Sequence, residues 1–327
     1  MANPNKKTKR IVITLVTLIV VALVALFGVG NYLFDYAVGR SGDGGNRQVS
    51  LEEETSTDTQ SEYDSNKAKQ AALTQNFTET ATEQKITITS DDSLSLTGFY
   101  YPENSHKWVI TIHGYRGTHL SMVNYSQRYH DAGYQVLSPD LRGCGESEGS
   151  YIGMGWPDRL DILNWIEWII NQDPEAEIVL HGVSMGAATT MMTSGEDTPD
   201  NVIAFIEDCG YTSVWDIFAS ELKLRFGLPE FPILSVASCI SNVRAGYSFE
   251  EASSLNQVKQ CEKPMLFIHG TADDFVPFEM LQELYDAKPG TNKEMLVVDG
   301  AGHGESSTVL GDKYWNTTFD FIERARA

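Results

Sequence analysis

The sequence predicts an α/β fold: a mostly parallel sheet of about eight strands flanked by helices, with a small helical cap, preceded by one N-terminal transmembrane helix. Three observations predict it. Short runs rich in β-branched and aromatic residues alternate with helical patterns from residue 85 onward. A long uncharged apolar run stands near the N-terminus, and a polar segment separates it from the alternating region. The 327 residues, 42% of them hydrophobic, suffice for one large domain with accessories.

An N-terminal membrane anchor is indicated by charge and hydrophobicity together. The first ten residues hold four cations and no acid, and no charged residue occurs from Ile11 to Gly28. That run meets the length of about 18 to 20 apolar residues that crosses the hydrocarbon core. The next basic residue is Arg40. We therefore expect a cytoplasmic tail at 1–10, a single-pass anchor at 11–38 in the cell membrane and an extracytoplasmic body.

A cleaved signal peptide is the alternative for this segment, and it would leave a secreted protein. Residues 37–39, Ala-Val-Gly, form a weak small-x-small cleavage site. However, the apolar run is longer than the usual h-region of about 7 to 15 residues. The aromatic residues Tyr32, Phe34 and Tyr36, just after it, are typical of a membrane interface. Both features favour a retained anchor.

Composition excludes several classes of partner and cofactor. The formal net charge is −21, and because four of the 24 cations lie in the first ten residues, the body is more acidic still. Such a body repels phosphate backbones, so we expect no nucleic-acid partner. The cysteines show no CxxC or paired Cys/His spacing, so we expect no metal and no cofactor. They could pair in an exported protein or remain buried thiols: Cys144, Cys209, Cys239 and Cys261.

The polar segment and the folded domain have clear compositional boundaries. Residues 39–84 contain few large apolar side chains, which predicts a flexible tether with at most a short helix near Lys67 to Leu73. Residues 85–327 form the predicted domain. Its strand-like runs are 85–89, 94–101, 108–113, 134–138, 177–181, 202–206, 265–269 and 294–298, and its clearest helical pattern is 157–171.

The segment at about 211–260 predicts a helical cap. It is about twice as long as one crossover helix requires. Pro229 and Pro232 divide it into short helices. We expect its large apolar side chains to be mainly core, with a minority lining an acyl pocket; they are Trp215, Phe218, Leu222, Phe226, Leu228 and Phe231.

A candidate nucleophile follows the strand-like run at 177–181. Gly182, Ser184 and Gly186 form a G-x-S-x-G pattern between that run and a small-residue helix start. Glycines two residues on either side permit a sharp strand-to-helix turn that exposes the serine hydroxyl at the helix N-terminus. A plain structural turn is the competing interpretation, but the strand before and the helix after favour a nucleophile.

A serine nucleophile needs a base that a third group orients. In G-x-S-x-G hydrolases the chain order is Ser, acid, His. Only His269 and His303 follow Ser184; His269 ends a strand, whereas His303 lies in a small-residue loop after the last strand, so His303 is the predicted base. Asp208 and Asp273 both follow predicted strands, and position alone leaves the acid open between them.

The oxyanion of the reaction needs preorganised N–H donors. We expect one from the backbone of Met185, after the nucleophile, and one from Tyr115 in the loop after the strand at 108–113. His113 is expected to fix that loop. The segment 140–149 lacks the full dinucleotide fingerprint, so it is predicted to be a rim turn held by Asp140 and Arg142.

These motifs together resemble the α/β-hydrolase superfamily, and in particular bacterial serine hydrolases similar to serine aminopeptidase-like and monoglyceride-lipase-like enzymes and to membrane-bound depalmitoylases. The resemblance covers about residues 85–325. The motifs are H-G-x-x-G at 113–117, D-x-R-G-x-G-x-S-x-G at 140–149, G-x-S-x-G at 182–186, G-x-x-D-x-x-V-P at 270–277 and G-H at 302–303. Cys144 departs from this pattern, because relatives usually carry histidine there.

The resemblance implies a catalytic acid and an activity. Asp273 matches the acid loop of the superfamily, which leaves Asp208 as a helix or turn cap. We expect a carboxylesterase-like serine hydrolase that cleaves a small acyl ester or thioester through an acyl-serine intermediate. The alternatives are an aminopeptidase or amidase, in which Glu146 and Glu148 at the rim would hold an amine, and a catalytically silent surface binding domain.

Overall fold

The computed structural model describes residues 6–41 and 57–326. Its strands are β1 (Gln84–Thr89), β2 (Ser95–Tyr101), β3 (Lys107–Ile112), β4 (Gln135–Pro139), β5 (Glu177–Val183), β6 (Val202–Asp208), β7 (Met265–Gly270) and β8 (Lys293–Val298). Its α-helices are α1 (Lys6–Ala37), α2 (Thr57–Thr80), α3 (Val123–Asp131), α4 (Asp158–Gln172), α5 (Met185–Ser194), α6 (Val214–Phe226), α7 (Ile233–Ala245), α8 (Ser254–Val258), α9 (Glu279–Ala287), α10 (Ser306–Leu310) and α11 (Asp312–Arg326).

The eight strands form one sheet in the order β1-β2-β4-β3-β5-β6-β7-β8. Strand β2 is antiparallel to β1 and β4, whereas the strands from β4 to β8 pair in parallel. Parallel neighbours need crossover connections, which the helices provide. The predicted mostly parallel α/β sheet is confirmed. Because parallel strands end at the same edge, β5 to β8 bring their following loops together there.

Side chains of the central strands alternate between two apolar layers. On β3, Trp108 and Ile110 pack on one face and Val109 on the other. On β5, Leu180 and Val179 divide in the same way. Such strands are buried on both sides, which explains their nearly continuous apolar sequence.

The N-terminal helix α1 has two parts with different surroundings. Residues Lys7–Ala37 are long and apolar enough to cross a membrane. Side chains from Ile11 to Val29 are mostly exposed, but from Gly30 onward the helix packs against α7. A Cβ on Gly30 would lie 2.7 Å from Val236 Cγ1, so glycine permits the close approach of the two helices. The last two turns of α1 thus belong to the folded body.

The predicted flexible tether contains a helix of 24 residues, much longer than the short helix near Lys67 to Leu73 that the sequence suggests. Residues 42–56 of that tether lie outside the described residues, but residues 57–80 form α2, which packs against α3 and α10. Phe77 is buried against Tyr101, with ring centroids 4.9 Å apart. Tyr63 donates a hydrogen bond to Glu305. One aromatic side chain and a few directed polar contacts hold a helix whose average composition predicts disorder.

The segment predicted as a cap holds α6, α7 and α8, which stand between β6 and β7. Helix α6 begins at the N-cap Ser213 and ends at Gly227, whose φ of 64° terminates it in the left-handed region. The expectation that its large apolar residues are mainly core is only partly right. Phe218, Leu222 and Phe226 line a pocket, and Phe231 is 77% exposed.

Candidate active site

Ser184 occupies a sharp turn between β5 and α5. Its φ of 58° and ψ of −119° are strained for a residue with a Cβ. The flanking glycines permit this turn: a Cβ on Gly182 would lie 2.0 Å from Gly186 O, and one on Gly186 would lie 2.0 Å from Ile112 O. The turn places Ser184 at the N-terminus of α5, at the edge where β5 to β8 end.

His303 lies beside this serine. Its Nε2 is 2.8 Å from Ser184 Oγ, and its Nδ1 is 2.8 Å from Asp273 Oδ2. The loop after β8 can deliver the ring because Gly304, with φ of 70°, turns the chain directly after it. The ring also packs against Phe275, with centroids 4.9 Å apart. The structure therefore brings the three residues predicted as nucleophile, base and acid into one hydrogen-bonded line.

Asp273 is held by more than the histidine. Its Oδ1 accepts hydrogen bonds of 2.9 Å from the backbone N–H groups of Phe275 and Val276. Burial opposes ionisation of Asp273, but the hydrogen bonds of His269 and His303 outweigh it and hold the pKa of the carboxyl below its usual range. An ionised Asp273 accepts a hydrogen bond from the Nδ1–H group of His303, which leaves Nε2 as an acceptor facing Ser184.

His269 is a contact of Asp273 that the sequence analysis did not identify. Its Nε2 lies 3.2 Å from Asp273 Oδ2 and 3.1 Å from Val276 O. Burial disfavours the charged form of His269, but its hydrogen bond to Asp273 and the charge of Glu207 raise its pKa. The signal in the sequence is its position: a histidine four residues before the predicted acid, at the end of the same strand.

Asp208, the competing aspartate, has a different set of partners. It accepts hydrogen bonds from Ser306 Oγ at 3.0 Å and from Tyr314 hydroxyl at 2.9 Å. The prediction that it caps a helix or turn is wrong, because both donors are side chains more than ninety residues away. Burial raises the pKa of the Asp208 carboxyl to about 6, against the lowering effect of these two hydrogen bonds.

The predicted oxyanion loop lies against the serine. A Cβ on Gly114 would be 3.3 Å from Ser184 Cβ, so the backbone before Tyr115 passes directly beside the nucleophile. His113 fixes this loop as expected: its Nε2 accepts from Leu141 N–H at 2.9 Å, and its Nδ1 lies 2.8 Å from Gly114 O. Met185 is the first residue of α5, where backbone N–H groups lack helical partners. The roles of Tyr115 and Met185 as donors stay predictions.

The rim segment at 140–149 is held by charged side chains. Asp140 accepts from the N–H groups of His119 and Glu146, each at 2.8 Å. Arg142 forms ion pairs with Asp161 at 2.7 Å and with Asp92 at 2.9 Å. Cys144 is buried and, like the other three cysteines, is a free thiol. The expected structural function of Asp140 and Arg142 matches these contacts.

A pocket extends from Ser184. Its walls are mostly apolar, as is usual for small-molecule sites. Cap residues form one side. Three residues of α1, which the sequence analysis assigned only to the membrane, form another: Leu33, Tyr36 and Ala37. Their spacing of three and four is the ordinary helical period, so only the docking of α1 could reveal their function.

Comparison with known proteins places this geometry among hydrolases. A model of the prolyl oligopeptidase family, peptidase family S9, matches residues 119–326, which include all three hydrogen-bonded residues. The YqkD protein of Bacillus subtilis is 29% identical over 223 residues, which cover 68% of this chain and 73% of YqkD. A membrane protein of Saccharomyces cerevisiae, YNL320W, is 24% identical over 246 residues, covering 73% of this chain and 79% of its own length.

A solved structure gives the same fold. The Pf2001 esterase of Pyrococcus furiosus is similar with a TM-score of 0.61 and 25% identity, and the match covers 75% of this chain and 93% of that one. This likeness confirms the predicted α/β-hydrolase fold. Together with the family match, it indicates hydrolytic chemistry.

Proposed function

This chain belongs to the prolyl oligopeptidase family of α/β-hydrolases, and from that premise we propose that it cleaves an ester or thioester through an acyl-serine intermediate. The observation that carries the proposal is the line from Ser184 Oγ through His303 to Asp273, with both contacts at 2.8 Å. A hydroxyl, an imidazole and an ionised carboxylate in that order are the parts that activate a serine.

Each residue then has a defined step. His303 Nε2 takes the proton of Ser184 as its oxygen attacks the acyl carbon, and Asp273 stabilises the resulting imidazolium. The negative charge on the substrate oxygen is held by the N–H groups of Tyr115 and Met185. His303 returns the proton to the leaving alcohol or thiol. A water molecule, activated by the same histidine, hydrolyses the acyl-serine.

The pocket supports an acyl substrate over a substrate amine. Its walls are largely aliphatic and aromatic, and its acidic side chain, Glu221, forms an ion pair with Arg225. At the rim, Glu146 pairs with Lys85, and Glu148 accepts from the N–H of Ser95. The likeness to an esterase adds support. An aminopeptidase or amidase is the second candidate, which the peptidase name of the family favours.

We also propose that α1 is retained as a membrane anchor, with the N-terminus in the cytoplasm and the catalytic domain outside. The basic residues before the apolar run support this orientation. The packing of Gly30 to Ala37 on the body supports retention, because a helix removed as a signal would take part of the pocket wall with it.

A labelling experiment tests the proposed chemistry. The full-length protein in detergent is treated with a fluorophosphonate probe and assayed with p-nitrophenyl esters and aminoacyl anilides. Ser184→Ala should abolish labelling and lower ester turnover by about 10³-fold or more, because no nucleophile remains. Ser41→Ala, an exposed serine, is the matched control and should label normally. Ester turnover by Ser184→Ala within tenfold of wild type would refute the assignment. Anilide turnover that exceeds ester turnover would favour the peptidase function. A wild-type protein that the probe does not label would favour a catalytically silent binding domain.

A further inference from the structure

The end of the N-terminal helix belongs to the substrate pocket. Leu33, Tyr36 and Ala37 line the same cavity as Ser184. Helix α1 is held in place by the cap: Arg244 donates to Asn31 and to Asp35, each at 2.7 Å, and its guanidinium lies 4.5 Å from the ring centre of Phe34, which is fully buried. A wall held in this way has a fixed position relative to the nucleophile.

The same helix end reaches the predicted oxyanion loop. Tyr115 hydroxyl donates to Ala37 O at 2.7 Å. The next loop residue, Arg116, donates to Gly39 O at 2.8 Å and to Arg40 O at 2.9 Å. Residues that follow the membrane segment therefore fix both the pocket wall and the loop beside Ser184.

The length of the exposed apolar part sets where the pocket lies relative to a bilayer. The nineteen residues from Ile11 to Val29 span about 28 Å as a helix, which is close to the roughly 30 Å of a hydrocarbon core. Leu33 comes four residues later, about 6 Å further along the axis. The pocket wall thus begins at the membrane interface, not at a distance from it.

The cap carries exposed apolar residues on the same side. Gly30 of α1 lies beside Val236, and Asp35 pairs with Arg244, so α7 runs in the same direction as α1. The N-terminal end of α7 therefore points back toward the membrane. Phe231, two residues before that end, is 77% exposed, and nearby in the chain are the exposed Leu224 and Phe226. Phe226 also lines the pocket, which joins this apolar rim to the cavity.

We propose that the substrate is a lipid ester resident in the bilayer, whose acyl chain enters the pocket between α1 and the α6–α7 loop. The inference rests on the proposed serine chemistry and adds its substrate class. The apolar rim formed by Leu224, Phe226 and Phe231 accepts the chain at the interface. Leu33 contacts the chain inside the pocket and limits how long a chain fits. The membrane helix is then a specificity element as well as an anchor.

Two substitutions at Leu33 test the wall. The full-length enzyme is assayed with p-nitrophenyl acetate and with p-nitrophenyl dodecanoate, and the ratio of the two kcat/KM values is compared. Leu33→Trp fills the pocket and should lower the dodecanoate-to-acetate ratio about tenfold, a change of about 1.4 kcal/mol. Leu33→Ala enlarges the pocket and should move the preferred acyl-chain length toward longer chains. Leu23→Trp, exposed on the same helix, should leave the ratio unchanged.

A substitution on the rim tests entry from the membrane. With p-nitrophenyl dodecanoate dissolved in phosphatidylcholine vesicles that hold the enzyme, Phe231→Ser should lower turnover about fivefold relative to turnover of soluble acetate. Val243→Ser, at the far end of α7 and 86% exposed, is the matched control. Unchanged ratios for both Leu33 variants and for Phe231→Ser, with ester turnover intact, would overturn the inference. A wild-type enzyme that hydrolyses neither ester would instead overturn the proposed function.

Discussion

The carboxylates of Asp208 and Asp273 stand at or just beyond the ends of neighbouring parallel strands, yet their surroundings differ. Asp273 faces the imidazole of His303 and two backbone N–H groups. Asp208 faces the hydroxyl groups of Ser306 and Tyr314 and is completely buried. The pKa of Asp273 is held below its usual range, whereas burial raises the pKa of Asp208 to about 6.

The function of an acidic residue is therefore set by its hydrogen-bond donors and not by its place at the end of a strand. Hydrogen bonds from imidazole and backbone N–H groups stabilise the anion that a catalytic histidine requires. Asp208 instead accepts from hydroxyl groups of α10 and α11, and these bonds connect β6 to the segment that follows His303. In the proposed mechanism Asp273 orients the base, whereas Asp208 holds the segment that follows the base in the chain.

The largest expected effect separates the two acids by activity. Asp273→Asn should lower ester turnover by about 10⁴, because the amide N–H₂ group faces Nδ1 of His303 and disfavours the tautomer that accepts from Ser184. Asp208→Asn should lower ester turnover by less than about tenfold. The Asp208 carboxylate binds Ser306 and Tyr314 and makes no hydrogen bond to the imidazole of His303. Both variants are assayed on one p-nitrophenyl ester.

Folding is matched by circular dichroism and by the yield of detergent-solubilised protein. A greater loss of turnover for Asp208→Asn than for Asp273→Asn would assign the catalytic acid to the end of β6.

The pH dependence of stability should also distinguish the two aspartates. The folded-state pKa of Asp208, about 6, lies above its ordinary value of 3.8, so the folded state binds more protons in this interval and its stability falls as pH rises through it. The shift corresponds to about 3 kcal/mol. Asp273 has a lowered pKa, so its stabilisation is already present above pH 3.8 and is lost only as pH falls below that value.

Denaturant unfolding of the two variants between pH 4 and 6.5 measures how the free energy of unfolding depends on pH in each case. Relative to wild type, Asp208→Asn should gain about 3 kcal/mol of stability across the interval. The difference for Asp273→Asn should stay nearly constant there, since its titration lies at lower pH. Parallel curves for the two variants would mean that the buried carboxylates have the same electrostatic environment.

The sequence predicts those parts of the site that depend on residues close together in the chain. All eight strand-like runs form strands, each with at most a few residues of difference at its ends. The turn at Ser184 was predictable because glycines at 182 and 186 permit backbone approaches that no other residue allows. The loop positions of His303 and Asp273 follow from motif spacing, and the structure places them in hydrogen-bond contact.

What the sequence could not predict depends on contacts distant in the chain. By sequence, Leu33 is an ordinary apolar residue of a helix apolar enough to cross a membrane; only the packing of α7 beside α1 gives it a place in the pocket wall. Asp208 receives its donors from about a hundred residues away. Helix α2 has an average composition typical of a disordered segment, but Phe77 and Tyr63 find partners on the domain surface. No local sequence pattern predicts these contacts.

A second set of hydrogen bonds holds the loop around His303, and its loss should have only a small effect on turnover. Tyr63 of α2 donates to Glu305 Oε1 at 2.8 Å, and Glu305 Oε2 accepts from the N–H of Gly302 at 3.2 Å, directly before the histidine. Burial and the neighbouring carboxylate raise the pKa of Tyr63 to about 12, so the phenol keeps its proton and donates at neutral pH. Helix α2 thus supports the loop through one carboxylate.

Tyr63→Phe removes this hydrogen bond without changing the packing of the ring. A bond worth about 1 kcal/mol that only positions the loop should lower kcat about threefold and leave KM for the ester unchanged. Lys69→Ala breaks the exposed ion pair of the same helix with Asp312 and is the control, which should leave kcat within experimental error because such pairs contribute little. If both variants behave alike, α2 covers the domain without positioning His303.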